Sequence, residues 1–176
     1  MRKLQLEELG RDDLETYQAK SKVPLVIVLD DIRSGHNVGS ILRTCDAFMV
    51  QKVWLCGITP TPPHREILKT AIGASASVAW EYAEKVTTVC EKLKDEGHRL
   101  IGVEQTDQSI ALHEADLDSM PTALIFGNEV NGLSEDLLPL MDLCIEIKQF
   151  GTKHSLNVSV CAGITIWAFF KVLSTS

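Results

Sequence analysis

The sequence predicts an α/β domain in which a mostly parallel β-sheet is flanked by helices. Three observations carry that reading. Short runs of β-branched and aliphatic residues at 25–30 (LVIVLD), 52–57 (KVWLCG), 99–104 (RLIGVE), 122–127 (TALIFG) and 143–147 (LCIEI) have the character of buried parallel strands. Helix-like segments lie among them at 38–49, 63–72, 84–96 and 134–141, with the spacing of βα units. The chain has 176 residues, 45% hydrophobic and 23% charged, which suits one domain with a proper core.

Taken in order, residues 1–22 form a charged segment with leucines at Leu4, Leu6, Leu9 and Leu14, the pattern of a weakly amphipathic helical arm. The domain proper is expected over 23–176, and Pro24 marks the entry to its first strand. The proline cluster TPTPPH (59–64) reads as a loop that starts a helix. The closing apolar stretch, 158–173, contains Lys171 and is shorter than the ~20 residues a membrane span needs, so a buried helix is expected and no membrane partner. The charged N-terminus lacks the apolar core of a secretory signal, which predicts a cytoplasmic protein. The five cysteines form no CxxC pair and read as reduced thiols, and the histidines show no metal-ligand spacing, so no metal is expected. A net charge of -7 excludes a protein that coats nucleic acid by bulk charge. RNA binding would need a local patch, for which Lys3, Lys20, Lys22, Arg33, Lys69 and Lys153 are candidates.

In open α/β sheets ligands bind at the carboxyl ends of strands. Three loops there combine glycine with polar residues. In SGHNVGSILRT, Asn37 can cap a helix, and Arg43 follows it by nearly two turns, so both side chains could face one cleft. Read alone, they are better taken as an N-cap and a surface ion-pair partner. In IFGNEVNGL, Glu129 sits between Gly127 and Gly132, placed either to orient a ligand hydroxyl or to cap a helix beginning near Ser134. In QFGTKHSLNVSV, Ser155 and Asn157 stand where the last helix begins, either as ligand contacts or with Ser155 as the N-cap and Asn157 as a first-turn residue. No GxGxxG follows the first strand, which argues against a dinucleotide-dependent dehydrogenase.

Together and in this order, NVGSILRT, LIFGNEVNGL and GTKHSLNVSV resemble motifs one, two and three of the SpoU (TrmH) branch of the SPOUT RNA methyltransferases, a likeness running from about residue 23 to the C-terminus. The resemblance implies a C-terminal part threaded as a deep trefoil knot, a rare topology, and a homodimer with the active site at the interface. It implies an S-adenosylmethionine-dependent enzyme that methylates a ribose 2′-OH of RNA; the compactness of the domain favours tRNA over rRNA. Carried onto matching positions, cofactor contacts come from Glu104, Gly127, Ile147 and Leu156, with Glu104 contributing mainly its backbone location. Arg43 matches the arginine proposed as the base. Because guanidinium is normally protonated, an alternative is that it binds RNA phosphate and stabilises the developing alkoxide. Asn37 and Glu129 would position Arg43 and the ribose, and Ser155 and Asn157 would order the knot loop. Two positions depart from the family pattern: Lys148 replaces a usual proline, freeing a backbone N–H, and Met49 replaces a common glycine. A non-catalytic RNA-binding module on the same fold is the alternative reading.

Overall fold

A computed structural model describes residues 1–174. Among these, seven strands pair in parallel: β1 (Val23–Asp30), β2 (Val50–Cys56), β3 (Trp80–Ala83), β4 (Arg99–Val103), β5 (Ile110–Ala111), β6 (Thr122–Phe126) and β7 (Leu143–Glu146). Their order across the sheet is β3-β2-β1-β6-β4-β7-β5. The helices are α1 (Leu14–Ala19), α2 (Gly35–Ala47), α3 (Arg65–Ala71), α4 (Ala74–Ser77), α5 (Val86–Asp95) and α6 (Val158–Leu173).

β1 lies inside the sheet between β2 and β6, and its unbroken apolar run follows from burial on both faces. Leu25, Ile27 and Leu29 pack with Val38, Ile41 and Leu42 of α2 and with Ile166 and Phe169 of α6. Val26 and Val28 face the other way, toward Val89, Cys90 and Leu93 of α5. Both layers exclude water from the sheet, so the strand ends are held rigidly where the loops begin.

The five strands read from sequence are all present. The structure adds β3 and β5, short edge strands whose residues are largely exposed and so lack a strong apolar signal. It replaces the helix expected over 134–141 with turns and a 3-10 turn at Leu138–Leu140. Pro139 explains this, since it donates no N–H and its ring clashes with the preceding turn of a longer helix. The N-terminal segment forms a 3-10 turn at Leu6–Leu9 and then α1, which Asp13 caps by accepting from the Thr16 N–H at 2.8 Å. Tyr17 docks α1 on the domain: it is buried, and its hydroxyl donates to the Asp46 carbonyl at 3.1 Å.

α6 refines the expectation of a buried helix, being buried on one face only. Ala162, Thr165, Ile166, Phe169 and Leu173 recur at helical spacing on one buried face. Val160, Ile164 and Trp167 form a second apolar stripe that stays open, with Trp167 48% exposed. Trp167 packs with Phe48 and Phe170, centroids 5.4 and 5.8 Å away, in an aromatic cluster where α6 meets the end of α2.

Candidate active site

A cavity of about 450 Å³ opens where β4, β6 and β7 end, within the size range of cofactor sites. Its wall is built from the residues that leave these strands, Glu104, Gly127 and Ile147, together with Leu156 from the loop before α6. Glu129, Ser155 and Asn157 also line it. Seven of the nine residues singled out in the sequence therefore surround one space.

Asn37 stands behind that wall and connects its parts. Its side-chain amide donates to Glu129 Oε1 at 3.0 Å, and its carbonyl accepts from Asn157 Nδ2 at 3.1 Å. The network joins all three polar loops, whose residues lie 92 and 120 positions apart in the chain. The local roles differ from those expected. Ser34, not Asn37, caps α2, which begins three residues earlier than the periodicity suggested and leaves the Asn37 side chain free for the network. Asn157, not Ser155, caps α6, its Oδ1 accepting from the Ser159 N–H at 2.9 Å; Ser155 is exposed in the loop.

Glu129 caps nothing at Ser134, where no helix starts. It reaches back to the entry of α2 and accepts from the backbone N–H groups of Arg33 at 2.9 Å and Ser34 at 3.2 Å. Burial works to raise its pKa, but these donors and the Asn37 amide together prevail and hold it below the ordinary carboxylate value. Glu129 is thus an ionised acceptor at neutral pH, fixed in direction by three donors.

Glu104 does more than mark a backbone position. Its carboxylate accepts from the Gln105 N–H at 2.8 Å and from the Leu133 N–H at 2.9 Å, fastening the end of β4 to the loop after β6. That loop closes on itself through a pair of backbone hydrogen bonds between Asn128 and Gly132, at 3.0 and 2.9 Å. Gly127 is required at its base, because a Cβ there would overlap the backbone of Gly132 and Leu133. Gln105 and Asn128 went unnoticed in the sequence. Gln105 Nε2 donates to the His154 carbonyl at 3.0 Å, and Asn128 Nδ2 donates to the Asp31 carbonyl at 2.7 Å, so both tie loops around the cavity. Their only sequence signal was adjacency to Glu104 and Glu129.

Arg43 is not on this wall. It lines a second hollow of about 510 Å³ with Ser40, Thr44, Ala47, Phe48, Lys69, Thr70 and Ile72. Six residues of α-helix turn the chain by about 600°, which sets Arg43 roughly 120° around α2 from Asn37. The expectation that both face one cleft is corrected by that rotation. Met49, at the end of α2, has φ 55°, the left-handed conformation a glycine adopts without penalty.

The two spaces have opposite charge. The first is lined by Glu104, Glu129 and Glu146 and by no lysine, arginine or histidine. The second is lined by Arg43 and Lys69 and by no carboxylate.

A parallel sheet whose loops gather polar residues from three distant segments at its carboxyl edge defines an α/β ligand-binding protein. The chain belongs to the SpoU rRNA Methylase family, whose model matches residues 24–167. It is 31% identical over 154 residues to a tRNA (guanosine(18)-2′-O)-methyltransferase of Aquifex aeolicus, a match covering 84% of this chain and 69% of that protein. It is 32% identical over 146 residues to a 23S rRNA (guanosine-2′-O-)-methyltransferase of Neisseria meningitidis serogroup B, covering 83% of this chain and 58% of that one. Among solved structures, the A. aeolicus TrmH/SpoU tRNA modifying enzyme superposes with a TM-score of 0.81 at 25% identity, covering 92% of this chain and 81% of its own. The chain spans between 42% and 69% of the length of the first curated relatives.

Proposed function

We propose that this protein is an S-adenosylmethionine-dependent RNA methyltransferase that modifies a ribose 2′-OH, acting on tRNA in preference to rRNA. The observation that carries the reading is the network Asn157–Asn37–Glu129, which unites the three motif loops at a cavity of cofactor size. The cavity's chemistry fits the cofactor. Three carboxylates and no basic side chain favour a cationic sulfonium and disfavour the phosphates of a dinucleotide. Phe126, Ile145 and Leu156 supply apolar wall for an adenine ring. Glu104, Gly127, Ile147 and Leu156 would hold the cofactor, Glu104 through the loop it fastens.

When bound, S-adenosylmethionine supplies a methyl group activated by its sulfonium. The chain's own tasks are to align the ribose hydroxyl and to deal with its proton. Asn37 and Glu129 set the orientation of the site's polar edge, while Ser155 and Asn157 order the loop before α6. Arg43 takes the proton or, as a cation, binds phosphate and offsets charge on the ribose oxygen. Arg43 lies off the cavity wall, and in this reading the arginine at the cavity is supplied by a second subunit. The reading is therefore a homodimer, with the C-terminal loop knotted as in the family. The open stripe Val160, Ile164 and Trp167, continuous with the aromatic cluster and thus with Phe48 beside Arg43, is the surface that would pair. No helix among the described residues is long and apolar enough to cross a membrane, and a cytoplasmic location fits an RNA substrate.

Incubation with labelled cofactor and separate tRNA and rRNA fractions tests the reading, with transfer to tRNA expected. Calorimetry should find S-adenosylmethionine bound and NADH not. Cofactor binding without transfer to any RNA would favour the non-catalytic RNA-binding module. Arg43→Lys and Arg43→Ala then separate the roles of the arginine: a loss confined to RNA affinity, with single-turnover methylation intact, excludes it as base.

A further inference from the structure

We infer that the second hollow, between α2 and α3, is a subsite for a phosphodiester of the RNA backbone, and that Lys69 is its second cation. The inference rests on the RNA-methyltransferase reading above. Its starting point is the packing of α2 on α3. A Cβ at Gly39 would stand 2.5 Å from the Ile67 carbonyl oxygen and 3.0 Å from its Cα, so only glycine lets the two helices approach this closely. Arg43, one turn after Gly39, is thereby brought to the same hollow as Lys69.

The charge there is uncompensated. Among the described residues, the side chains of Arg43 and Lys69 have no ion-pair or hydrogen-bond partner, as is also true of Lys3, Arg11, Arg33, Arg65, Lys85 and Lys153; what sets Arg43 and Lys69 apart is that they line one hollow together. Glu66, on the first turn of α3, is turned to His36 at 3.6 Å. Two free cations on one concave surface of a chain with net charge -7 are a local attractor for an anion.

The lining selects what kind of anion. Ser40, Thr44 and Thr70 hydroxyls donate to backbone carbonyls, so their protons are committed and the two cations are the donors left to a ligand. Ile72, 67% exposed, and Phe48 add apolar surface beside them. Cationic donors next to apolar wall suit a phosphate that carries a sugar and base, and the hollow is open enough for a polymer to pass. With the acidic cavity taking the cofactor, the chain separates its two ligands by charge.

Lys69→Gln and Lys69→Arg test this in the full chain, with unfractionated tRNA as the probe. For Lys69→Gln, the slope of log K against log salt should become shallower by about 0.7–0.9, the loss of one phosphate contact. RNA affinity at low salt should fall several-fold, with S-adenosylmethionine affinity unchanged, and Lys69→Arg should keep the slope. An unchanged slope and affinity in Lys69→Gln, or no tRNA binding by the parent chain, overturns the subsite. Methyl transfer separates the two claims. A Lys69-dependent slope without any transfer refutes the enzyme reading and leaves an RNA-binding hollow, whereas transfer with a silent Lys69 refutes the hollow alone.

Discussion

Replacing Gly127 by alanine bears on the site more sharply than any side-chain deletion, because the added methyl meets only backbone. The new Cβ would overlap the Gly132 carbonyl group and the Leu133 nitrogen. Neither is the tip of a flexible side chain, so relief requires the 127–133 loop to move by about 1 Å, to ordinary contact distance. That shift strains three hydrogen bonds: the Asn128–Gly132 pair at 3.0 and 2.9 Å, and the Leu133 N–H to Glu104 at 2.9 Å. At about 1 kcal/mol for each neutral bond and about 2 for the one to a carboxylate, the destabilisation is about 2–4 kcal/mol. The cavity wall moves with the loop, so cofactor affinity should fall by a factor on the order of a hundred. Gly163→Ala is the control. Nothing stands within 4 Å of a Cβ there, and inside a helix alanine should stabilise by about 0.5–1 kcal/mol. Urea denaturation and calorimetry with S-adenosylmethionine measure both effects. A Gly127→Ala protein with parental stability and affinity would refute the close-approach argument.

Three further predictions follow from local geometry. Asp30 is buried at the end of β1, and burial, then the neighbouring Asp31, push its pKa up from 3.8 to about 6. The folded state then holds the proton more tightly than the unfolded one, so stability declines as pH rises between those values. Asp30→Asn should stabilise at pH 7.5 by about 2 kcal/mol and hardly at pH 4, in urea titrations; an equal gain at both would contradict the titration. Ile72 holds φ 48° while 67% exposed, so Ile72→Gly should raise stability by about 1 kcal/mol, and a loss would show that its side chain packs more than its exposure suggests. Asn37→Ala deletes the middle of the network without touching the cavity wall. It should lower kcat/KM about a hundredfold, with cofactor affinity reduced far less and stability by about 1 kcal/mol; a matching fall in all three would make Asn37 a structural residue only.

The central strands were legible because double burial writes unbroken apolar runs such as LVIVLD and TALIF. β3 and β5 were not, since edge strands four and two residues long bury too little to leave a pattern. Asn37, Glu129 and Asn157 could be singled out from glycine-containing loops at strand ends, but their partners could not. Both Asn37 and Asn157 carry side chains suited to N-capping, and only tertiary contacts reveal that Asn157 both caps α6 and reaches across to Asn37, while Asn37 caps nothing. The placement of Arg43 turned on helical angle: two turns need about seven residues, and a separation of six leaves it on another flank of α2. Glu104 was recognisable by position, yet its hold on Leu133 depends on β4 and β6 being neighbours, which chain order does not reveal.

Alkaline hydrolysis of RNA after incubation with the protein and S-adenosylmethionine tests the central claim most directly. Cleavage by alkali needs a free 2′-hydroxyl next to the phosphate, so methylation of that oxygen protects the adjoining bond. With cofactor carrying a labelled methyl group and tRNA as substrate, the label is expected in alkali-stable dinucleotides. Label recovered in ordinary mononucleotides would place the methyl group on a base and contradict ribose 2′-O-methylation.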